Sequence, residues 1–219
     1  MKVNPKFPYP LYLVISEKDC IHYHWLDVAE QAILGGVDII QLREKDCTTE
    51  EYIEKAKALK KITDLYNIPL IINDSLEVAI SVQSWGIHVG RSDIKPSEID
   101  RNTNSPKNIG WSIELCDQLN EKQIDYVNHL GVSPIFSTST KTNTITEWGY
   151  EGIHKLKKLT TLPLIAIGGI NEINVSEIIK AGADSVAVVS AICGSSNPKR
   201  SAQILKQIIN NNEYNPKNI

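Results

Sequence analysis

A glutamine, an arginine and a lysine occupy alternating positions at the end of the apolar run "DIIQLREKD". Side chains of a strand alternate between two faces, so Gln41, Arg43 and Lys45 share one face while Ile40 and Leu42 take the other. The apolar face suits packing against helices, which leaves the polar face toward a site. Two cations and an amide that converge there predict binding of a polyanion. The alternative is an exposed charged strand end, which is less favourable because a buried, unpaired amide and arginine are costly.

Two aspartates follow the next two apolar runs. "LIINDS" ends in Asn73 and Asp74, and "GIHVGRSDI" carries Asp93 just beyond its apolar part. If these runs are neighbouring parallel strands, their ends meet at one edge, so both carboxylates face one site. Next to basic residues, such a pair suits Mg²⁺, which takes one or two carboxylates and fills its other positions with water and phosphate oxygens. An Asn-Asp turn is also a normal helix N-cap, and that alternative stays open.

A separate phosphate site is indicated near the end of the chain. "LIAIGGI" ends in Gly168 and Gly169, and "SVAVVSAI" ends with Ser190 at the start of a short helical turn. Open backbone N–H groups and helix N-termini attract anions. The glycine pair alone would be weak evidence, but together with Ser190 it supports a phosphate held between two loops.

Eight short apolar runs rich in Val and Ile supply the strands that must position these residues. Most are continuous rather than alternating, as expected for strands covered on both faces of a parallel sheet. The predicted strands are Leu11–Ser16, Asp38–Leu42, Pro69–Asn73, Gly86–Val89, Asn108–Trp111, His129–Ser133, Pro163–Ile167 and Ser185–Ser190.

Helical patterns fill most of the intervals between the predicted strands. Thr48 or Thr49 is an N-cap with Glu51 in the first turn, and Val175, Ile178 and Ile179 form one stripe before Gly182. Residues 91–107 and 113–123 are polar and short on helix. We therefore predict an α/β fold, a single (β/α)₈ TIM barrel, in which phosphate is often held by the loops after strands seven and eight. An open doubly wound sheet is the second choice, since no G-x-G-x-x-G follows an early strand.

The composition is that of a globular protein. The 219 residues are 42% hydrophobic with a net charge of -3, which gives no support to a nucleic-acid or membrane-surface partner. No apolar run has the length of a membrane span, and the N-terminus has no long apolar signal region. We predict one domain over residues 1–219, with the barrel at about 11–210 and a polar tail at 211–219.

The cysteines and histidines indicate neither a metal box nor a catalytic triad. The four cysteines are far apart with no C-x-x-C pair, which predicts free thiols in a reducing cytoplasm. His22, His24 and His154 are predicted at the surface. His88 lies within a predicted strand, as a core histidine or as one facing the barrel lumen.

The stretch "FSTSTKTNT" at 136–144 carries six hydroxyl residues and one lysine in nine positions. By composition it is a flexible linker, yet the strand-like "VSPIF" precedes it directly. A linker and a loop held around a phosphorylated ligand are both open at this point.

Seven segments of the chain together resemble the thiamine-phosphate synthase family. They occur in the family's order over roughly residues 11–195, and any one of them alone would be weak evidence. The segments are "LYLVIS", "IIQLREKD", "IINDS", "GIHVGRSD", "GVSPIFSTSTKT", "LIAIGGI" and "VAVVSAI".

The resemblance implies a Mg²⁺-dependent transferase of the (β/α)₈ class. It joins 4-amino-5-hydroxymethyl-2-methylpyrimidine diphosphate to 4-methyl-5-(2-phosphoethyl)thiazole, giving thiamine phosphate and pyrophosphate. Whether the thiazole carries a carboxylate stays open, and so does a monomer against a homodimer.

The family's roles fall on residues of this chain that match its motifs. The pyrimidine diphosphate is assigned to Gln41, Arg43, Lys45, Asn73, Ser112 and Lys141. Arg43, Lys45 and Lys141 are also the predicted catalytic residues, and Asp74 and Asp93 the Mg²⁺ ligands. The thiazole phosphate is assigned to Thr138, Ser139, Thr140, Gly168, Gly169, Val189 and Ser190.

Three residues depart from the family pattern. Arg91 stands where a glutamine is usual, Ser133 replaces a glycine, and His129 replaces a common tyrosine. Two rival functions remain. A thiazole tautomerase would not need the aspartates or the full Gln-x-Arg-x-Lys set, and a non-catalytic barrel would bind thiamine phosphate as a sensor.

Overall fold

Eight parallel strands close into a barrel in chain order. The computed structural model describes residues 4–137 and 146–211. The strands are β1 (Leu11–Ile15), β2 (Ile39–Leu42), β3 (Leu70–Asn73), β4 (Gly86–Val89), β5 (Asn108–Ile113), β6 (His129–Val132), β7 (Leu164–Ile167) and β8 (Ser185–Val188). The last strand pairs with the first, for example Leu13 with Val188. The predicted (β/α)₈ barrel is confirmed, and the open sheet is excluded by this closure.

Helices connect most of the strands on the outside of the barrel. They are α1 (Trp25–Leu34), α2 (Thr49–Leu65), α3 (Leu76–Ser81), α4 (Pro96–Arg101), α5 (Gly149–Leu159), α6 (Val175–Lys180), α7 (Ser190–Cys193) and α8 (Pro198–Asn211). Between β5 and β6, where every residue is described, two 3₁₀ turns replace an α-helix, at Cys116–Asn120 and Lys122–Tyr126. Of the two connections predicted to be short on helix, residues 113–123 contain no α-helix and residues 91–107 contain only the six residues of α4. None of the described helices is both long and apolar enough to cross a bilayer.

Local signals in the sequence explain where α2 and α6 begin and end. Thr48 is the N-cap of α2, and its hydroxyl and the Glu51 carboxylate form a reciprocal capping box. The stripe predicted for α6 is buried, and the chain leaves the helix at Gly182, whose φ of 111° is accessible to glycine without strain. Both predictions are confirmed.

Two apolar clusters lie on opposite sides of the strands. Ile40 and Leu42 belong to the larger cluster between the barrel and its helices, whereas Ile39 packs in the lumen with Tyr12 and Val14. This alternation along β2 is the one predicted. It turns Gln41 and Arg43 inward.

An aromatic layer closes the amino-terminal end of the lumen. Phe7 is 1% exposed, and its ring lies 5.2 Å from Tyr9, 6.2 Å from Trp85 and 4.7 Å from His129. Phe7 precedes the first strand, and the strand pattern did not predict this role. Burial lowers the pKa of His129, so the ring that departs from the family's tyrosine is a neutral part of the core.

Candidate active site

A cavity of about 690 Å³ opens at the end of the barrel where the strands finish. This is the end at which the loops of such barrels carry chemistry. Its walls come mainly from the ends of β2, β3, β4 and β5 and from the loops that follow them. Seven of the predicted residues line it, namely Gln41, Arg43, Lys45, Asn73, Asp74, Asp93 and Ser112.

Gln41, Arg43 and Lys45, on β2 and its continuation, form a row that runs from the lumen to solvent. Gln41 is buried and donates its Nε2–H to the Tyr12 hydroxyl at 2.6 Å. Arg43 is half-buried, and its backbone N–H donates to the carbonyl of Ile15 at 2.9 Å. The Lys45 side chain is 47% exposed. The amide therefore lies deep in the cavity, and the two cations lie nearer its mouth.

Asp74 and Asp93 meet, as predicted from adjacent strands. Both carboxyl groups line the larger cavity and interact electrostatically, and Lys45 Nζ lies 3.3 Å from Asp74 Oδ2. Asp93 is held by the backbone N–H of Gly90 at 2.7 Å. Burial, and then the Asp93 carboxyl, raise the pKa of Asp74 to about 6, although Lys45 acts in the opposite direction. A divalent cation bound between the two carboxylates would relieve the electrostatic repulsion between them.

The N-cap alternative for the Asn-Asp turn is wrong. Ser75 caps α3, with its hydroxyl accepting the N–H of Val78 at 3.3 Å. Asp74 has a left-handed φ of 62°, which is uncommon for residues other than glycine and is tolerated best by Asn and Asp. This backbone conformation accompanies the turn of its carboxylate toward Asp93.

The ends of β2 and β3 are tied together below the charged residues. The hydroxyl of Tyr52, in α2, donates to the carbonyl of Leu42 at 2.7 Å and lies 3.1 Å from the carbonyl of Asn73. Tyr52 is buried, so these two contacts fix the distance between the end of β2 and the Asn73-Asp74 turn.

β5 contributes a hydroxyl that is oriented by a histidine. His88 Nε2 and Ser112 Oγ are 2.9 Å apart, and both residues line the cavity. His88 therefore faces the lumen, the second of the two predicted placements. Gln118 was missed. Its Oε1 accepts the backbone N–H groups of Glu114 at 2.7 Å and Leu115 at 3.0 Å, which secures the chain after β5.

A smaller cavity of about 80 Å³ lies beside the first, at the ends of β7 and β8. It brings together four residues predicted for a phosphate: Gly168, Gly169, Val189 and Ser190. A Cβ on Gly168 would lie 2.7 Å from Pro134 Cβ, and its φ is 107°, so only glycine fits there. Arg43 lines this cavity as well as the larger one, and Asp19 lines it without having been predicted.

Thr138, Ser139, Thr140 and Lys141 lie outside the described residues. The chain just before them is anchored at β7: the N–H groups of Ile135 and Phe136 donate to the carbonyls of Ile167 at 2.9 Å and Gly168 at 3.1 Å. After them, Gly149 N–H donates to the Ile135 carbonyl at 2.9 Å. The hydroxyl-rich stretch is therefore bounded on both sides by backbone attached to the barrel mouth.

Comparison with known proteins decides the family. The sequence model described as thiamine monophosphate synthase matches residues 11–192. The chain belongs to the thiamine monophosphate synthase family. It is 42% identical over 200 residues to a thiamine-phosphate synthase of Albidiferax ferrireducens, covering 91% of each chain. It is likewise 42% identical over 202 residues to that of Vibrio parahaemolyticus, covering 92% of this chain and 98% of the relative.

A solved structure has the same architecture along nearly the whole chain. The thiamine phosphate pyrophosphorylase of Pyrococcus furiosus superposes with a TM-score of 0.86 at 26% identity, covering 96% of this chain and 100% of that one. The resemblance drawn from the seven segments is thus confirmed, and so are the barrel and the membership of the thiamine monophosphate synthase family.

Arg91 is the family departure that lies closest to the carboxylates. It lines the larger cavity, is 66% exposed, and has its guanidinium 3.8 Å from Glu121 on the loop after β5. Exposed ion pairs of this length contribute little. Ser133 lines both cavities, so the glycine usual at this position would widen each of them slightly.

Changing Arg91 to Gln is expected to leave kcat/KM within about tenfold, roughly 1.4 kcal/mol. The reason is that the guanidinium is exposed and already pairs with Glu121, so it adds charge to the mouth without being enclosed by it. Steady-state kinetics on the purified variant measure the effect. A much larger fall in kcat would show that Arg91 takes part in the chemical step.

Proposed function

We propose that this chain is a thiamine-phosphate synthase, which condenses 4-amino-5-hydroxymethyl-2-methylpyrimidine diphosphate with 4-methyl-5-(2-phosphoethyl)thiazole and releases pyrophosphate. The observation that carries the proposal is the pair of adjoining cavities that share Arg43. One has the size and polar depth for a pyrimidine with its diphosphate, and the other has the size of a phosphate group.

The larger cavity suits the pyrimidine diphosphate. At about 690 Å³ it lies within the usual range for small-molecule sites. Gln41, Asn73 and Ser112 offer the amide and hydroxyl groups that a flat aminopyrimidine needs in its plane. Arg43 and Lys45, closer to the mouth, would bind the diphosphate.

The carboxylate pair suits Mg²⁺ as the cofactor. Among the described residues, no group of three or more His, Cys, Asp and Glu side chains could hold a metal ion, which leaves the pair Asp74 and Asp93. Two carboxylates leave the remaining positions to water and diphosphate oxygens, which is the usual arrangement for Mg²⁺ in phosphoryl sites. Bound there, the ion would neutralise charge on the departing pyrophosphate.

The smaller cavity would take the thiazole phosphate. Gly168 and Gly169 leave the backbone N–H groups after β7 open, and α7 begins at Ser190 on the next loop. Arg43 lies at the boundary of the two cavities, so one guanidinium would contact both the diphosphate and the single phosphate.

The chemistry asks the protein for charge neutralisation and positioning. The C–O bond to the diphosphate breaks, the aminopyrimidine ring stabilises the exocyclic methylene cation, and the thiazole nitrogen then bonds to that carbon. Arg43, Lys45 and Lys141 stabilise the negative charge that develops on the leaving group. Holding the thiazole nitrogen about 3–3.5 Å from the methylene carbon supplies the remaining rate enhancement. No protein nucleophile or general base is needed.

Replacing Lys141 by Ala is expected to lower kcat by about tenfold or more, because one cation of the leaving-group site is lost. Lys155 to Ala, on the outer helix α5, is the matched control and should leave kcat unchanged. Normal activity of the Lys141 variant would remove this residue, and the hydroxyl-rich stretch with it, from the site.

The direct test is incubation of the purified chain with both substrates and Mg²⁺, followed by assay of pyrophosphate and thiamine phosphate in equal amounts. Omitting either substrate should stop the release of pyrophosphate. Chelation of Mg²⁺ should stop it too. Tight binding of thiamine phosphate without any pyrophosphate release would instead favour the non-catalytic barrel, and isomerisation of a thiazole phosphate alone would favour the tautomerase.

We further propose a cytoplasmic location, because all four cysteines are free thiols. The substrates of such an enzyme are small phosphorylated molecules. The net charge of -3 gives no support to nucleic-acid binding. A homodimer remains compatible with these features.

A further inference from the structure

An acidic side chain lines the smaller cavity together with the groups that would hold a phosphate. Asp19 is the last residue of the 3₁₀ turn Glu17–Asp19, which follows β1, and it shares the cavity with Arg43, Gly168 and Gly169. Of the described residues that line this cavity, Asp19 is the one carboxylate and Arg43 the one cation. A carboxylate repels an anion at short range, and a cavity of about 80 Å³ leaves little distance between them. Asp19 therefore affects which anions the cavity can accept.

Ser16 holds the Asp19 carboxylate in place. The buried Ser16 hydroxyl donates to Asp19 Oδ2 at 2.5 Å and accepts the backbone N–H of Asp19 at 3.3 Å. An O–H···O distance of this length is typical of a hydrogen bond to an ionised carboxylate. Within residues 4–137 and 146–211, no group donates a hydrogen bond to Asp19 Oδ1. One oxygen of Asp19 thus stays available as an acceptor for a ligand.

No described cation is paired with Asp19. The neighbouring Lys18 directs its Nζ to Asp46, at 2.9 Å, and Arg43 forms no ion pair with Asp19 within 4.0 Å. An ionised carboxylate can only accept hydrogen bonds. Asp19 therefore attracts an anion in this cavity where the anion itself carries a proton, and repels an anion that has none.

We propose that Asp19 is a specificity-determining residue of the smaller cavity: it accepts a hydrogen bond from a protonated phosphate oxygen, so the cavity binds phosphate groups and excludes sulfate groups. This inference rests on the proposed function, because the thiazole phosphate is the ligand assigned to this cavity. The two groups share a tetrahedral shape. A phosphate monoester has a second pKa of about 6 and can bind in its protonated form near neutral pH, whereas a sulfate ester has no proton to donate.

The other groups of the cavity do not separate the two anions. The backbone N–H groups of Gly168 and Gly169 and the Arg43 guanidinium are donors, and donors serve any tetrahedral anion. Discrimination therefore depends on Asp19. A sulfate loses a charge-assisted hydrogen bond and meets a repelling carboxylate, so its affinity should be lower by about 10- to 100-fold.

Inorganic phosphate and inorganic sulfate test the cavity without any assumption about the reaction. Near neutral pH inorganic phosphate carries at least one proton and sulfate carries none. Titrated calorimetrically into the full chain at equal ionic strength, without Mg²⁺, phosphate should bind about 10- to 100-fold more tightly than sulfate.

Two variants of Asp19 and one control locate the source of this preference. Asp19→Asn should remove most of it, because the amide can donate to either anion and still accept from Ser16. Asp19→Ala should also remove it, without the gain in sulfate affinity expected for Asn. Asp46→Asn, which loses a nearby exposed carboxylate that lines neither cavity, should keep the preference of the parent.

The substrate itself supplies the second measurement. The sulfate ester of the thiazole alcohol should show KM about 10- to 100-fold above that of the phosphate ester, and Asp19→Asn should narrow this gap while KM for the pyrimidine diphosphate changes little. Equal binding of the two inorganic anions by the parent would overturn the proposal, and so would a preference that survives in both Asp19 variants. A preference that depends on Asp19, in a chain without synthase activity, would support this role and contradict the proposed function instead.

Discussion

Replacing Asp74 by Asn is expected to lower kcat by at least about a hundredfold at saturating Mg²⁺, roughly 2.7 kcal/mol. The substitution removes one of the two carboxylates that would hold the ion while keeping the size of the side chain. Asn also tolerates the left-handed backbone of this position, so the turn should persist. Asp93 to Asn should act in the same direction. Turnover against Mg²⁺ concentration gives the measurement.

The same Asp74 variant should be more stable than the parent when Mg²⁺ is absent. The pKa of Asp74 is raised from 3.8 to about 6, so between these values the folded chain binds more protons than the unfolded chain. The free energy of unfolding therefore falls as pH rises through that window, and the loss persists above pH 6. Asn removes this cost, so Tm in EDTA at pH 7 should rise by a few degrees. Below pH 3.8 the two proteins should converge.

Asp100 to Asn serves as the control for both measurements. Asp100 is exposed on α4, and its change alters net charge equally without touching the cavity. Normal turnover of the Asp74 variant at low Mg²⁺ would refute the metal assignment. Lower stability of the variant at pH 7 in EDTA would show that the carboxyl pair is not a source of repulsion.

The second large effect is expected for Arg43. Its change to Gln should lower kcat/KM by about 10²–10³-fold, roughly 3–4 kcal/mol, because a half-buried cation of the leaving-group site is lost. Since Arg43 lines both cavities, KM should rise for both substrates. Lys at this position should restore only part of the loss, since an ammonium cannot reproduce the planar, bidentate guanidinium.

Arg101 to Gln is the matched control, an exposed arginine at the end of α4 that should behave like the parent. Initial rates measured with each substrate varied in turn separate the two KM values. An effect confined to one substrate would show that Arg43 binds a single phosphate group, and the boundary role would be wrong.

The parts of the site that follow short-range rules were predictable from the sequence. Strand alternation put Gln41 and Arg43 on the inner face, and the adjacency of consecutive parallel strands brought Asp74 to Asp93. The glycine pair after β7 was predictable because only glycine adopts such backbone freely. Each of these inferences needs only a few neighbouring residues and the barrel order.

Other parts depend on contacts that no local pattern encodes. Tyr12 meets Gln41 only through the register of β1 against β2, and Asp19 reaches the smaller cavity through an irregular 3₁₀ turn. Gln118 secures the chain after β5 from a second such turn, where helical periodicity is absent. His129 looked like a simple departure from a family motif, and its place beside Phe7 appears only once the lumen is assembled.

Among the described residues, the aromatic layer around Phe7 closes the amino-terminal end of the lumen, so the larger cavity opens at the other end. Gln41 and Tyr12 stand near its floor, whereas Lys45 and Asp93 stand at its rim. Whatever lies against the floor must enter before, and leave after, anything that spans the rim. If the proposed function holds, this geometry predicts that the pyrimidine diphosphate binds first and that pyrophosphate leaves before thiamine phosphate. A binding order of this kind would then depend on the aromatic residues packed around Phe7, at the opposite end of the barrel from the proposed chemistry.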